Sequence, residues 1–232
     1  MRISELFESA NDTVAIMFGR FNPPHKGHVA AWKLAAAYPH WFVGTNKNTI
    51  GAKDPLPFDV KLAAMKTIWP EIEQHAVAET SWLTLASRVY SEYGDVNLVV
   101  LTDESWVVPT IEKYNGQENQ HGFYNFKNIE HKATPRLSSA SDVRDAVAKN
   151  DKEAFSKAAG IDADTKVLGK GYFDLVSEYL MPYLEKAKTS KKKLSKENLD
   201  IEVEESCKYG RYYCSTDKKW KCRTGPKQKR SS

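Results

Sequence analysis

Two histidines three residues apart, His25 and His28, stand in the stretch GRFNPPHKGH (Gly19–His28), with Arg20, Phe21 and glycines at 19 and 27. Imidazole N–H groups at that spacing can donate hydrogen bonds to phosphate oxygens and stabilise charge that develops during group transfer. Glycine lets the backbone approach a ligand closely. A connection that only turned a corner would need neither imidazole. Far downstream, RLSSASDVRDAV presents Ser139, Ser141 and Arg144. Ser141 can cap a helix, the freed N–H groups at a helix N-terminus attract phosphate, and an arginine fork grips phosphate oxygens. Taken alone, that segment also reads as an ordinary N-cap followed by a surface arginine. The other histidines, His40, His75, His121 and His131, lack such a setting and read as structural.

The elements around these groups follow from periodicity. Val14–Phe18 is a short apolar run suited to a buried parallel strand, and Gly27–Tyr38 reads as the helix after it, stopped near Pro39. Strands are expected at Trp41–Gly44, His75–Ala78, Val96–Leu101 and Phe123–Ile129. Helices are expected at Phe58–Trp69, Trp82–Tyr93, Ser105–Tyr114, Ser141–Lys149, Lys152–Ala159 and Tyr172–Ala187. Alternating strands and helices predict an α/β fold with a doubly wound parallel sheet. Ligands bind such sheets at the carboxyl ends of the strands. GRFNPPHKGH falls there.

Composition divides the chain. It has 232 residues, of which 41% are hydrophobic, enough for a core but with no run near the roughly 18 apolar residues a membrane span needs. MRISELFESANDT carries acids and no apolar centre, so it is not a secretory signal, and a soluble, cytoplasmic protein without membrane partners is expected. Residues 1–185 hold 19 Lys and Arg against 24 Asp and Glu, a net of −5. Residues 186–232 hold 15 against 6, a net of +9, and all three cysteines. The expected organisation is a polar leader over 1–12, an acidic globular domain over 13–185 and a basic tail over 186–232.

GRFNPPHKGH resembles the signature of the HxGH nucleotidyltransferase superfamily, with His25 and His28 as its histidines. The Gly-Arg-Phe opening is most similar to the archaeal-type nicotinamide-mononucleotide (NMN) adenylyltransferases. RLSSASDVRDAV is similar to that family's second motif, with Ser139, Ala140, Ser141, Val143 and Arg144 on its Ser, Ser/Gly, Thr, aliphatic and Arg positions. GAKDPLPFDVK resembles an intervening Arg-Asp-Pro segment through Lys53, Asp54 and Pro55. Lys53 stands for arginine and so lacks the bidentate fork. Lys61 falls near an expected Glu-Arg pair, with Val60 in place of the glutamate. The resemblance covers roughly residues 13–185.

The resemblance implies a Rossmann-like fold and transfer of AMP from ATP to a phosphate acceptor, most readily NMN to give NAD and pyrophosphate, with Mg²⁺ bridging phosphate oxygens. It implies catalytic roles for His25, His28 and Arg144, and phosphate contacts for Gly19, Arg20, Phe21, Lys53, Ser139 and Ser141. Phosphopantetheine or another acceptor is the alternative. Acceptor recognition is less legible. A pyridinium ring would stack on an aromatic, and Trp82 and Trp106 each begin a helix after a strand, although tryptophans are more often core anchors. Asp103 follows the strongest strand and suits a ribose hydroxyl, a metal or a helix N-cap.

The tail begins as a lysine-rich segment expected to be a disordered linker. Beyond it, Tyr209, Tyr212, Tyr213 and Trp220 interleave with Lys and Arg, a composition suited to nucleic acid. Cys207, Cys214 and Cys222 supply three zinc ligands and no fourth, and a reducing compartment disfavours a disulfide. The whole chain also resembles adenylyltransferase-like proteins of tailed bacteriophages, and ISELFESA contains a Leu-x-Glu like prohead protease sites. That raises a competing expectation, a virion-associated protein that uses the fold as a scaffold. Oligomeric state is not legible.

Overall fold

Thr13–Phe18 forms the central strand, β1, of the computed structural model, which describes residues 12–48, 51–134, 139–202, 211–214 and 219–222. Successive side chains of a strand serve opposite faces. Val14 and Ile16 pack with Leu98 and Val100 on one face, and Ala15 and Met17 pack with Val43, Val99 and Leu101 on the other. Both faces are covered, which is why the run is apolar without alternation.

From β1 the chain passes through α1 (Lys26–Ala35) to β2 (His40–Asn46), then through α2 (Phe58–Ile68) and a 3-10 turn (Pro70–Gln74) to β3 (Ala76–Glu79). Helix α3 (Trp82–Tyr93) returns it to β4 (Asn97–Leu101) on the far side of β1. Helix α4 (Val107–Tyr114) and a long loop lead to β5 (Asn128–Lys132). The order is β3-β2-β1-β4-β5 and every pairing is parallel. This is a doubly wound, Rossmann-like α/β sheet, and its direction of winding reverses between β1 and β4. Trp32 of α1 and Met65 of α2 seal one face, while Leu85 of α3 and Ile111 of α4 seal the other. A further cluster joins Val60 and Ala64 of α2 to α5 (Ala140–Ala148), α6 (Lys152–Ala159) and the start of α7 (Tyr172–Glu202), through Val143, Phe155 and Tyr172. It brings the α5 N-terminus to the sheet. A two-residue hairpin, β6 (Lys166–Val167) and β7 (Lys170–Gly171), precedes α7. No helix among the described residues is long and apolar enough to cross a membrane.

Three expectations are corrected. The last strand lies at Asn128–Lys132, not Phe123–Ile129. Tyr124 and Phe126 are buried without strand pairing, because the Tyr124 hydroxyl donates to the Ile111 carbonyl at 3.0 Å and the Phe126 N–H donates to Asn115 Oδ1 at 2.9 Å. Their alternation reflects a loop folded onto the core. The cap of α5 is Ser139, not Ser141: Ser139 is extended and its Oγ accepts from the Ser141 N–H at 3.2 Å, so Ser141 is already inside the helix. Helix α7 continues to Glu202 instead of giving way to a linker near Ala187, in a stretch of lysine, leucine and glutamate, all good helix formers.

The chain divides into two compact units, Met1–Leu184 and Glu185–Ser232. In the second, β8 (Arg211–Cys214) and β9 (Lys219–Cys222) pair antiparallel, with Tyr213 across from Trp220 and Cys214 across from Lys219. Cys207 and Tyr209 lie outside the described residues.

Candidate active site

The loop Gly19–His25 leaves β1 and enters α1 under strong constraint. Its first residue is glycine for a steric reason: a Cβ at Gly19 would come within 2.8 Å of the Phe21 ring. Phe21 has φ 45, a left-handed conformation that costs about 1–2 kcal/mol for a residue with a side chain. Packing offsets it, since the Phe21 ring meets His28 edge-on at 4.9 Å and Trp32 at 5.7 Å. The Asn22–Pro23 bond is cis.

The two histidines cap their own helix. His25 is the N-cap, and its Nδ1 accepts from the Gly27 N–H at 3.1 Å. His28 answers as the third helical residue, its Nδ1 accepting from the His25 N–H at 3.1 Å. The rings stack 3.7 Å apart. Because each Nδ1 accepts a backbone N–H, each neutral ring carries its proton on Nε2. Burial pushes His25 down to about 4. Burial, and then the neighbouring His25, hold His28 well below the usual histidine value. Both are neutral hydrogen-bond donors at neutral pH. They are not equivalent in position, however. His28 forms part of the cleft wall, and His25, 1% exposed, lies beneath it.

That cleft, about 310 Å³, opens at the carboxyl ends of β1 and β4. Gly19, Arg20, Phe21, Gly27 and His28 line it from the first loop, and Lys53, Ser139, Ser141 and Arg144 line it from distant segments. Arg144 Nη2 donates to Ser141 Oγ at 3.0 Å, and Nη1 donates to the Asn22 carbonyl at 2.5 Å. Burial and then the positive charge of Arg20 lower the pKa of Arg144, so an anion between the two guanidiniums would relieve both penalties. The structure therefore brings together all the residues expected to bind phosphate, with His25 set back. Asp103 and Glu104 stand on the same wall. Asp103 is not the cap of α4, whose N-cap is Trp106, with no side-chain capping bond. With phosphate oxygens supplied by a ligand, these two carboxylates would suit Mg²⁺, which binds through few protein ligands and keeps its waters.

A second cleft of about 520 Å³ shares Phe18, Gly19, Arg20 and Glu104 with the first. Trp82 and Trp106 both line it but differ sharply. Trp82 is 7% exposed and packs on Phe18 at 5.8 Å as part of the core, while Trp106 is 56% exposed at the rim. His121, expected to be structural, lines this cleft too. The structural reading fits the surroundings of two other histidines: His75 Nδ1 lies 3.0 Å from the Trp41 carbonyl, and His131 Nε2 lies 3.0 Å from the Thr102 carbonyl.

Two residues that hold the site, Tyr172 and Thr45, carry no signal in the sequence. The Tyr172 hydroxyl donates to the Pro24 carbonyl and the Thr45 hydroxyl to the Arg20 carbonyl, at 2.5 and 3.1 Å. Asn22 Nδ2 donates to Asp54, and Asn22 Oδ1 accepts from the Leu56 N–H at 3.1 Å. Lys61 does not reach the cleft; it is buried 3.2 Å from Asp54.

No family model matches this chain, and no curated protein matches it in sequence. Among solved structures, it is similar to a Vibrio parahaemolyticus protein assigned as a nicotinate-nucleotide adenylyltransferase, with 12% identity and a TM-score of 0.40 over 62% of this chain and 91% of that one. It is also similar to Plasmodium falciparum nicotinic acid mononucleotide adenylyltransferase complexed with APC, with 13% identity and a TM-score of 0.35 over 74% of this chain and 95% of that one. Likenesses this slight carry no functional weight.

Proposed function

We propose that this chain is an ATP-dependent adenylyltransferase that transfers AMP to the phosphate of a pyridine mononucleotide, with NMN favoured, giving a dinucleotide and pyrophosphate. One observation carries the reading. His28, Arg20, Lys53, Arg144 and the Ser139–Ser141 turn converge on one cleft at the strand ends, joined to a second cleft with an open tryptophan. Cations, helix-terminal N–H groups and a neutral imidazole donor suit a polyphosphate better than a neutral metabolite.

The reaction is a displacement at the α-phosphorus of ATP. A phosphate oxygen of the acceptor attacks, the bond from the α-phosphorus to the bridging oxygen breaks, and pyrophosphate leaves with that electron pair. His28 donates its Nε2–H to the α-phosphoryl oxygens, where charge builds up. His25, by capping α1 and stacking on His28, keeps that ring and its tautomer in place. Arg144 and the α5 N-terminus hold the departing β,γ-phosphates, and Lys53 adds positive charge. Arg20 lines both clefts and so serves the acceptor phosphate as well as ATP, bringing the reactants together. Mg²⁺, when bound, supplies further neutralisation of the phosphate oxygens. Trp106 offers a face to the acceptor's pyridinium ring, with Asp103 placed for a hydroxyl or the metal.

The test is a panel: purified protein, ATP and Mg²⁺ with NMN, nicotinate mononucleotide or phosphopantetheine, following dinucleotide and pyrophosphate. NAD formation is expected. Reaction of phosphopantetheine alone would overturn the acceptor while keeping the chemistry. ATP binding with no acceptor reacting would favour the scaffold reading.

Residues 186–232 support a separate activity, binding of single-stranded nucleic acid. Their net charge of +9 contrasts with −5 for residues 1–185. The hairpin register also sets Tyr213 across from Trp220 on strands that carry Arg211, Lys219 and Lys221.

A further inference from the structure

The completely buried side chains of Asp54 and Lys61 form an ion pair 3.2 Å apart that reaches neither cleft. Removing two charges from water is expensive, and well-packed apolar residues often replace a buried pair without loss of stability. Stability alone therefore does not account for it. Its hydrogen bonds do. Lys61 Nζ donates to the Asn46 carbonyl at 2.7 Å and to Thr45 Oγ1 at 3.3 Å, besides Asp54. Asp54 accepts from Asn46 Nδ2 at 2.8 Å and from Asn22 Nδ2. Asn22 is then locked by Leu56, whose N–H and carbonyl both bond its amide at 3.1 Å.

Two lines of this network lead to the loop Gly19–His25, one through Asn22 and one through Thr45, while the bonds to Asn46 anchor it to the end of β2. With its amide held, Asn22 presents its backbone carbonyl to Arg144 Nη1. With Lys61 beside its oxygen, Thr45 presents its hydroxyl proton to the Arg20 carbonyl. Apolar substitutes would fill the space but remove the bond from Asn22 Nδ2 to Asp54 and the bond from Lys61 to Thr45 Oγ1, leaving the Asn22 amide held by Leu56 alone and the Thr45 hydroxyl free to turn from Arg20.

We infer that Asp54 and Lys61 are positioning residues for the phosphate cleft: they set the Asn22 carbonyl that aims Arg144, and they brace the loop at Arg20. The inference rests on the reading that Arg144 binds the triphosphate.

A double-mutant cycle on ATP affinity in the full chain tests it, with folding followed by circular dichroism and thermal melting. Asp54→Asn should weaken ATP about 10-fold and Arg144→Ala about 30-fold, yet the pair together should be no more than about 3-fold weaker than Arg144→Ala alone, because coupled residues are not additive. If Asp54→Asn does not fold, Asp54→Asn with Lys61→Met leaves no unpaired buried charge and takes its place in the cycle. Multiplying effects, near 300-fold by the same reasoning, would overturn the inference. So would unchanged ATP affinity in a folded Asp54 variant, which is what a purely structural role gives. Wild-type protein that binds no ATP would overturn the proposed function and this inference together.

Discussion

Arg144 donates to the backbone carbonyl of Asn22 at 2.5 Å, across 122 positions of sequence. This bond joins α5 to the loop after β1, so the two segments proposed to bind phosphate form one wall. It also occupies one arm of the guanidinium, while the other reaches Ser141. An arginine aimed in this way has lost little further freedom to a ligand, which is how preorganised charge favours a transition state.

Turnover and affinity should separate at His28. His28→Ala is expected to reduce turnover by about 10²-fold or more, the scale for a lost charge-stabilising donor. ATP affinity should fall far less, since Arg144, Arg20 and Lys53 remain. Steady-state kinetics beside ATP titrations give both numbers. Near-normal turnover would make His28 a capping residue only.

Acid should weaken the fold through the same histidines. His25 has an ordinary value of 6.5 and a folded value of about 4, the shift caused first by burial. Between those values the unfolded chain binds more protons than the folded one, so stability rises with pH across the window and is lost as pH falls from 6.5 towards 4. The shift corresponds to about 3 kcal/mol, and His28 acts in the same direction. His25→Asn retains a good N-cap but cannot titrate, so its urea-denaturation midpoint should depend less on pH in that window. An unchanged slope would count against burial of a neutral His25.

The two tryptophans of the second cleft should part company. Trp106→Ala is expected to raise the acceptor KM roughly 3- to 30-fold, in line with loss of a cation–π face, with melting temperature almost unmoved. Trp82→Ala removes a core anchor and should cost about 3–5 kcal/mol of stability. An acceptor KM indifferent to Trp106→Ala would remove that residue from the site.

The tail should be separable from catalysis. Full-length protein is expected to bind labelled single strands with an affinity whose logarithm falls linearly with the logarithm of salt, about −0.7 per phosphate contacted. Deleting residues 188–232 should abolish that binding and leave adenylyl transfer nearly intact, because every proposed site residue lies before them. Equal binding by both proteins would refute the tail's role, and lost transfer would tie it to the active domain.

The local elements of this protein were determined by sequence alone. The apolar run before Gly19, the helical spacing after Gly27 and the prolines and glycines between elements act over a few residues, so strand, turn and helix could be read in order. The His25–His28 turn and its place at a strand end followed from that contiguity. The last strand lies later than its sequence pattern suggests because edge pairing depends on partners elsewhere, and the start of α5 differs because Ser139 and Ser141 are both competent caps and the backbone extends at Ser139. Only the tertiary structure decided which histidine faces the cleft, since a spacing of three permits either and the mutual capping geometry chose His28. It also decided that Lys61 is buried against Asp54, that Asn22 clamps the loop, and that Trp106, not Trp82, is open to a ligand. Those outcomes are set by burial and by hydrogen bonds that close only when the chain is packed, such as Asn22 against Asp54 and Leu56, and no pattern of residue types encodes them.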